Sequence, residues 1–314
     1  MADPGFDDVL AAAARIAPHA HVTPVLDSRT IDALAGASLH FKAEHLQRVG
    51  AFKYRGACNA VWGLDADEAR RGVVTHSSGN HGAALALAAR GRGIGCHVVV
   101  PEGAVAGKLA AIEAYGATLH RCAPTIAARE AMCAQLAGQL GARIVHPYTD
   151  PLVIAGQGTA ALELLAARRL DALVVPVGGG GLASGTALAI AGASPHTQLF
   201  VAEPEGAAET AASLATGERV TDFMPDTICD GLRGTLGAIN FELLKSHGAK
   251  ALVVDDTATL AAMLLVWTRM KQLIEPSAAV ALAAVLAHRE LFEGRRVGII
   301  LSGGNADLTA LVNA

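Results

Sequence analysis

A chain of 314 residues, 52% hydrophobic and 17% charged, is long and apolar enough to build a large core and is no disordered segment. With 29 acids against 25 bases the net charge is −4, and aromatics make up only 4%, so neither a phosphate-backbone footprint nor a base-stacking surface is expected. Five cysteines, at 58, 96, 122, 133 and 229, form no CxxC pair and are odd in number, which fits buried free thiols in a reducing cytoplasm.

The opening stretch MADPGFDDVL lacks a basic n-region, so no signal peptide is expected. The uncharged run 172–202 contains four consecutive glycines and two prolines, which excludes it as a membrane span. In chain order, β-branched runs at 39–43, 73–76, 97–100, 118–121, 143–146, 172–177, 198–202, 251–254 and 297–301 read as strands. Alanine-rich stretches at 56–64, 83–92, 108–115, 126–140, 158–168 and 257–273 read as helices between them. Such alternation predicts an α/β fold: open, mostly parallel twisted sheets with helices on both faces. Nine or more strands are many for one sheet, so two sheets are expected. The division is a large domain from 1–71 and 149–314, with a smaller one, 72–148, inserted into it.

Four segments carry chemistry. In Ala51-Phe52-Lys53-Tyr54-Arg55-Gly56-Ala57 a lysine stands where a loop gives way to a helix. It is either a solvated lysine or an amine whose pKa the helix N-terminus and neighbouring cations lower. Ser77-Ser78-Gly79-Asn80-His81-Gly82 links a strand to a helix; it fits a plain N-cap, or a cradle of short donors for a carboxylate. Gly178-Gly179-Gly180-Gly181 follows an apolar strand, with a helix expected from about Leu182. Its amides can approach a phosphate closely, and neither a Walker lysine nor a dinucleotide spacing accompanies it. Ser302-Gly303-Gly304-Asn305 sets a hydroxyl at a strand's carboxyl end, where open α/β sheets bind ligands, or else makes an ordinary turn. An amino acid condensed with pyridoxal phosphate is one ligand that needs all four: lysine, carboxylate cradle, phosphate cup and hydroxyl.

The chain resembles the serine/threonine dehydratase and serine racemase family, of the tryptophan-synthase-β type of pyridoxal-phosphate fold (fold type II). The likeness runs from about Pro24 to Asp307 through Lys42-Ala43-Glu44, the lysine heptapeptide, Ser77 to Gly82, His146-Pro147, Ile154 to Thr159, Val175 to Gly181, Asp230 to Arg233, Ile274-Glu275-Pro276 and Ser302 to Asn305. The resemblance implies that Lys53 holds the cofactor covalently and that Phe52 packs on its ring. Asn80 reaches the 3′-oxygen, Gly178, Gly179, Gly180 and Gly181 bind the phosphate, and Ser302 meets the ring nitrogen. Ser77, Asn80 and His81 grip the substrate carboxylate. Ser78 matches the acid/base of racemising members, on the face opposite the lysine. Arg129 matches a residue that approaches the substrate in a closed state, and is equally a helix-surface arginine. Glu203, the Ala207 carbonyl and Glu209 match a divalent cation site for Mg²⁺, or Ca²⁺ or Mn²⁺, and are otherwise an acidic loop.

Three departures weaken a racemase reading: Ala51 where serine is usual, Gly234 where some racemases bind substrate with serine, and Tyr148 where some carry asparagine. The implied activity is β-elimination of water from serine, threonine or a similar small amino acid, giving a 2-oxo acid and ammonia. Lys53 serves as general base. Serine racemase and 3-hydroxyaspartate dehydratase are alternatives, with Arg129 or Arg233 as the cation for a second carboxylate. A non-catalytic amino-acid-binding module is the alternative from another class; a nucleotide-dependent oxidoreductase lacks its fingerprint. The chain ends soon after the Ser302 motif, so no feedback-regulatory domain is expected. A homodimer, with no nucleic-acid or membrane partner, completes the expectation.

Overall fold

The computed structural model describes residues 3–306; Met1, Ala2 and 307–314, including the Asp307 that closes the resemblance, lie outside the described residues. Among the described residues, ten strands form two sheets. They are β1 (Val25–Leu26), β2 (Ser38–Lys42), β3 (Val73–Thr75), β4 (Cys96–Pro101), β5 (Thr118–Cys122), β6 (Arg143–Ile144), β7 (Ala172–Pro176), β8 (Gln198–Pro204), β9 (Lys250–Val254) and β10 (Arg296–Ile300). The larger sheet has the order β1-β2-β10-β7-β8-β9, and the smaller β5-β4-β3-β6. Only β1, on an edge, runs antiparallel to its neighbour. All other pairings are parallel. The α/β class, the two mostly parallel sheets and all nine sequence-expected strands are therefore present. The two-residue β1 is too short to leave an alternation pattern.

Thirteen α-helices cover the sheets among the described residues: α1 (Phe6–Ile16), α2 (Arg29–Ala35), α3 (Lys53–Trp62), α4 (Ala66–Arg71), α5 (Asn80–Arg92), α6 (Ala106–Ala114), α7 (Ile126–Leu140), α8 (Pro151–Ala167), α9 (Gly181–Ala193), α10 (Glu209–Thr216), α11 (Ala238–Ser246), α12 (Asp256–Leu265) and α13 (Pro276–Ala287). Three of the differences from the sequence reading have a visible cause or bear on the site. Helix α8 starts seven residues before 158, because Asp150 caps it, accepting from Leu152 N at 2.8 Å and Val153 N at 3.4 Å. Its glycines break nothing: a Cβ on Gly156 would lie 2.6 Å from Gly56 Cα, and one on Gly158 2.6 Å from Gly185 O. They let α3, α8 and α9 cross at backbone contact. Helix α3 begins at Lys53 rather than 56, so the lysine stands in its first turn. The stretch 257–273 divides into α12 and a π-turn, Val266–Met270, which ends at Lys271 with φ +59°.

Side chains buried on both faces of the large sheet form two cores, one under α12 and α13 and one under α8 and α9. A third core joins α3 and α5 to the small sheet. Between β2, α3 and α8 lies a buried ion network. Arg55 is 1% exposed and Glu44 0%. Arg55 Nε meets Glu44 Oε2 at 2.7 Å and Nη1 meets Glu163 Oε1 at 2.7 Å, while Lys42 Nζ reaches Glu163 Oε2 at 2.5 Å. Burial alone would raise the Glu44 pKa, yet Arg55 holds it below the ordinary carboxylate value. Removing Arg55 leaves that carboxylate buried with only the Thr23 hydroxyl and the charge of Lys42 to offset its desolvation. We therefore expect Arg55→Met to cost about 3–5 kcal/mol in denaturant unfolding; a loss under about 1 kcal/mol would mean that water already screens the network.

Candidate active site

Strand order decides where the chemistry-bearing loops meet. β7 and β10 are parallel neighbours, paired from Val297↔Ala172 to Ile299↔Val174. The glycine run leaves the end of one, and Ser302 leaves the end of the other. In the small sheet β3 and β6 are likewise parallel neighbours. The loop Ser77–Gly82 leaves β3, and His146-Pro147-Tyr148 leaves β6. The candidate site lies where these four carboxyl ends converge, as open parallel sheets dictate.

Backbone pairing sets the lysine there. Phe52 N donates to Ser302 O at 3.0 Å, Ala51 bridges Gly303, and Gly304 N donates to Gly50 O at 2.9 Å. Lys53 Nζ then crosses to the small sheet and donates to Pro147 O at 3.0 Å. The amine also stands 5.1 Å from the Phe52 ring centroid. Burial pushes its pKa down to about 8. The cause is desolvation, not the neighbouring cations that the sequence reading invoked, because the adjoining Arg55 is committed to Glu44 and Glu163.

The glycine loop is braced from two sides. Asn240 Nδ2 donates to Gly179 O and, at 2.9 Å, to Tyr148 O, and Gly237 N donates to Gly179 O at 3.2 Å. Gly180 takes φ +93°, a conformation that favours glycine, and caps α9, which starts at Gly181 rather than Leu182. A Cβ on Gly179 would lie 2.4 Å from the Tyr148 ring, so that ring roofs the loop. The first-turn N–H groups of α9 have no intrahelical acceptors and supply an anion site at a helix N-terminus.

On the opposite wall, a Cβ on Gly82 would fall 2.1 Å from Ser77 O, so glycine lets the Ser77–Gly82 turn fold onto α5. Ser77, Ser78 and Asn80 are half-buried and His81 is buried. Asn80 Nδ2 donates to Glu275 Oε1 at 3.1 Å, and its Oδ1 accepts from Asn305 Nδ2 at 2.9 Å. Asn305 N donates to Glu275 Oε2 at 3.1 Å. This fixes the Asn80 amide against the Ser302 loop. Burial and then Asp230 raise the Glu275 pKa to about 7.

Three histidines line this region, and two of them, His81 and His146, lie near enough to the amine to feel its charge. His81 donates Nε2–H to Val145 O at 3.2 Å, leaving Nδ1 buried without a partner. His76 Nε2 and Arg129 Nε are buried and unpartnered as well. His146 meets His76 edge-on at 5.2 Å and Tyr148 at 4.5 Å. Burial keeps all three imidazoles below their ordinary pKa, His146 down to about 4. Arg129, on α7, lies near enough to His76 and Tyr148 to influence both. Arg233 is instead turned onto Thr227 O, with Nε at 3.1 Å.

Glu203, Ala207 and Glu209 gather apart from the lysine, at the end of β8. Glu203 accepts from Thr210 N at 3.1 Å and Ala211 N at 2.6 Å, while both Glu209 carboxylate oxygens are buried without a partner. Burial raises Glu203 to about 7; burial and then Glu203 raise Glu209 to about 8. No cluster of three or more His, Cys, Asp or Glu side chains able to hold a metal occurs among the described residues.

Sequence reasoning gave no role to His76, His146, Glu275 or Asn240. The first two follow strands directly, and the strand-end rule that picked out Ser302 would have found them. Asn240 sits inside a helix that no motif marks.

The family model described as pyridoxal-phosphate dependent enzyme matches residues 16–303. A serine racemase of Dictyostelium discoideum is 47% identical over 99% of this chain and 98% of its own length. A beta-hydroxyaspartate dehydratase of Paracoccus denitrificans is 44% identical over 98% of each chain. The solved structure of maize serine racemase superimposes with a TM-score of 0.96 at 42% identity, covering 99% of this chain and 97% of that one.

The geometry of the amine has a direct readout. In ligand-free protein, acylation of Lys53 followed by peptide mapping is expected to titrate with a midpoint near 8. A midpoint at the ordinary lysine value of 10.5 would place that nitrogen in water.

Proposed function

The chain belongs to the pyridoxal-phosphate dependent enzyme family, and from that premise we propose that it eliminates water from a small β-hydroxy amino acid, serine or threonine in type, to give a 2-oxo acid and ammonia. The observation that carries the reading is the Lys53 amine, half-buried and pushed to about 8 where four strand ends meet. The residues present fit the cofactor: an amine that is substantially neutral near pH 8, a glycine-lined helix start, and buried polar atoms without partners at His76, His81 and Arg129. When bound, the cofactor supplies an electron sink for the Cα–H electrons.

The rest falls to the chain. Lys53 anchors the group and then takes the Cα proton, for which an amine pKa near the working pH is suited. The amides of Gly178 to Gly181 hold the phosphate. Phe52 packs on the ring, Asn80 reaches its 3′-oxygen with the amide orientation that Glu275 and Asn305 impose, and Ser302 contacts the ring nitrogen. A neutral hydroxyl there leaves that nitrogen unprotonated, which favours prompt elimination over transamination. Ser77, Asn80 and His81 hold the substrate carboxylate. Ser78 is the residue we assign to proton exchange on the face opposite Lys53, the step that racemisation of serine adds.

Glu203, Glu209 and the Ala207 carbonyl are proposed to hold Mg²⁺, or Ca²⁺ or Mn²⁺. Two adjacent buried carboxylates with raised pKa and two unpartnered oxygens support a missing cation, whose part would be to stabilise β8 and α10. The span 72–148 is proposed as the domain that gates substrate, since its loops form one wall of the site. A homodimer follows the resemblance. A cytoplasmic location follows from five free, buried cysteines. No described helix is long and apolar enough to cross a membrane.

A second reading, 3-hydroxyaspartate as substrate, is favoured by Arg129, whose buried Nε lacks a partner beside His76 and Tyr148. A second carboxylate would pair with it.

Lys53→Ala is expected to abolish both the visible absorption of the lysine-bound cofactor and 2-oxo-acid formation; retained turnover rejects the assignment. Arg129→Leu is expected to lower kcat/KM for 3-hydroxyaspartate by about 10²-fold, the cost of losing one desolvated charge partner, while serine turnover stays within a few-fold. Parallel losses on both substrates would reduce Arg129 to a structural role.

A further inference from the structure

The loop after β6 fixes the state of His146 through its own backbone. Tyr148 N and Thr149 N both donate to His146 Nδ1, at 3.4 and 3.2 Å. A ring nitrogen that accepts N–H groups carries no proton, so the neutral imidazole bears its hydrogen on Nε2. Burial, then His76, then Lys53 keep the ring neutral across the physiological range. Around it stand Lys53 from α3, His76 after β3, His81 on α5 and Tyr148 on its own loop, with Arg129 and Glu130 of α7 beyond His76 and Tyr148.

Position gives the donor a purpose. The next residue's carbonyl accepts from Lys53 Nζ at 3.0 Å, and the residue after that lays its ring on Gly179. His146 therefore stands beside both the reacting amine, whose charge it feels, and the Tyr148 ring that roofs the glycine loop. The Ser77–His81 wall is reserved for the substrate carboxylate and Lys53 for the Cα hydrogen.

We propose that His146 is a catalytic residue of the elimination, donating Nε2–H in a hydrogen bond to the substrate's β-oxygen as the Cβ–O bond breaks. The inference rests on the elimination reading above. Lys53 takes the Cα proton, and the Cα–H electron pair becomes the second bond between Cα and Cβ. The Cβ–O pair leaves on oxygen, the proton on Lys53 passes to that oxygen, and water departs. His146 keeps its proton throughout and stabilises the charge that develops on the leaving atom.

The test changes the leaving group. Chloride needs no such donor, so β-chloroalanine is the control substrate for the holoenzyme. Relative to wild type, His146→Phe should lose about 10²-fold in kcat on the hydroxy amino acid, the usual effect of removing one such donor, and stay within about 3-fold on β-chloroalanine. His146→Gln, which returns an N–H near the Nε2 position, should recover most of the loss. Equal losses on both substrates, or none on the hydroxy substrate, would overturn the assignment. A wild type that eliminates neither water nor chloride would overturn the underlying reaction instead. In ligand-free protein, ¹⁵N spectra of the His146 ring should report the Nε2–H tautomer without titration from pH 6 to 9; an Nδ1–H tautomer or a transition in that window would contradict the proposal.

Discussion

The hydrogen bond from Lys53 Nζ to the Pro147 carbonyl joins the two sheets where both run out of strand. Everything needed to form it is backbone architecture. The Ala51–Gly303 bridge and the Phe52–Ser302 bond fix the lysine at the end of β10. β6 delivers Pro147 from the other side, beside β3 and its Ser77–Gly82 loop. Because adjacent parallel strands all end at one edge, four loops distant in sequence converge without a long side chain having to search for a partner. The Arg55–Glu44–Glu163 network ties α3 to β2 and α8 two residues beyond the lysine, so the first turn that carries it cannot drift.

The electrostatics of the cleft follow from the same burial. The amine, the three imidazoles and Glu275 are all displaced toward their neutral forms. A pocket of neutral donors and acceptors with few fixed charges holds a reacting zwitterion without competing counter-ions, and leaves the amine nucleophilic near neutrality. Glu203 and Glu209 obey the same rule: burial, and for Glu209 the neighbouring Glu203 as well, raises both carboxylates.

Much of this was legible in the residues. β-branched runs marked every strand except the two-residue β1, and the lysine heptapeptide, the glycine run and the Ser302 motif each named a strand end or a helix start. Helix edges were harder. The helix expected from 158 begins at Pro151, and its Gly156 and Gly158 serve backbone contact between α3, α8 and α9, which local propensity for glycine does not announce. A lowered lysine pKa was one of the two readings the heptapeptide allowed, but its cause is desolvation, which no local sequence reveals. Arg233 looked as available as Arg129 until its contact with Thr227 was seen. His146 lay in a recognised motif, but its tautomer depends on two backbone N–H groups whose direction is a property of the folded loop.

The claim on which the account stands is that one nitrogen, Lys53 Nζ, carries the cofactor. Borohydride reduction of the holoenzyme followed by proteolysis and mass spectrometry tests it directly. The account predicts a pyridoxyl group on the peptide containing Lys53 and on no other lysine; the same mass on Lys42 or Lys108, with the Lys53 peptide unmodified, would contradict it.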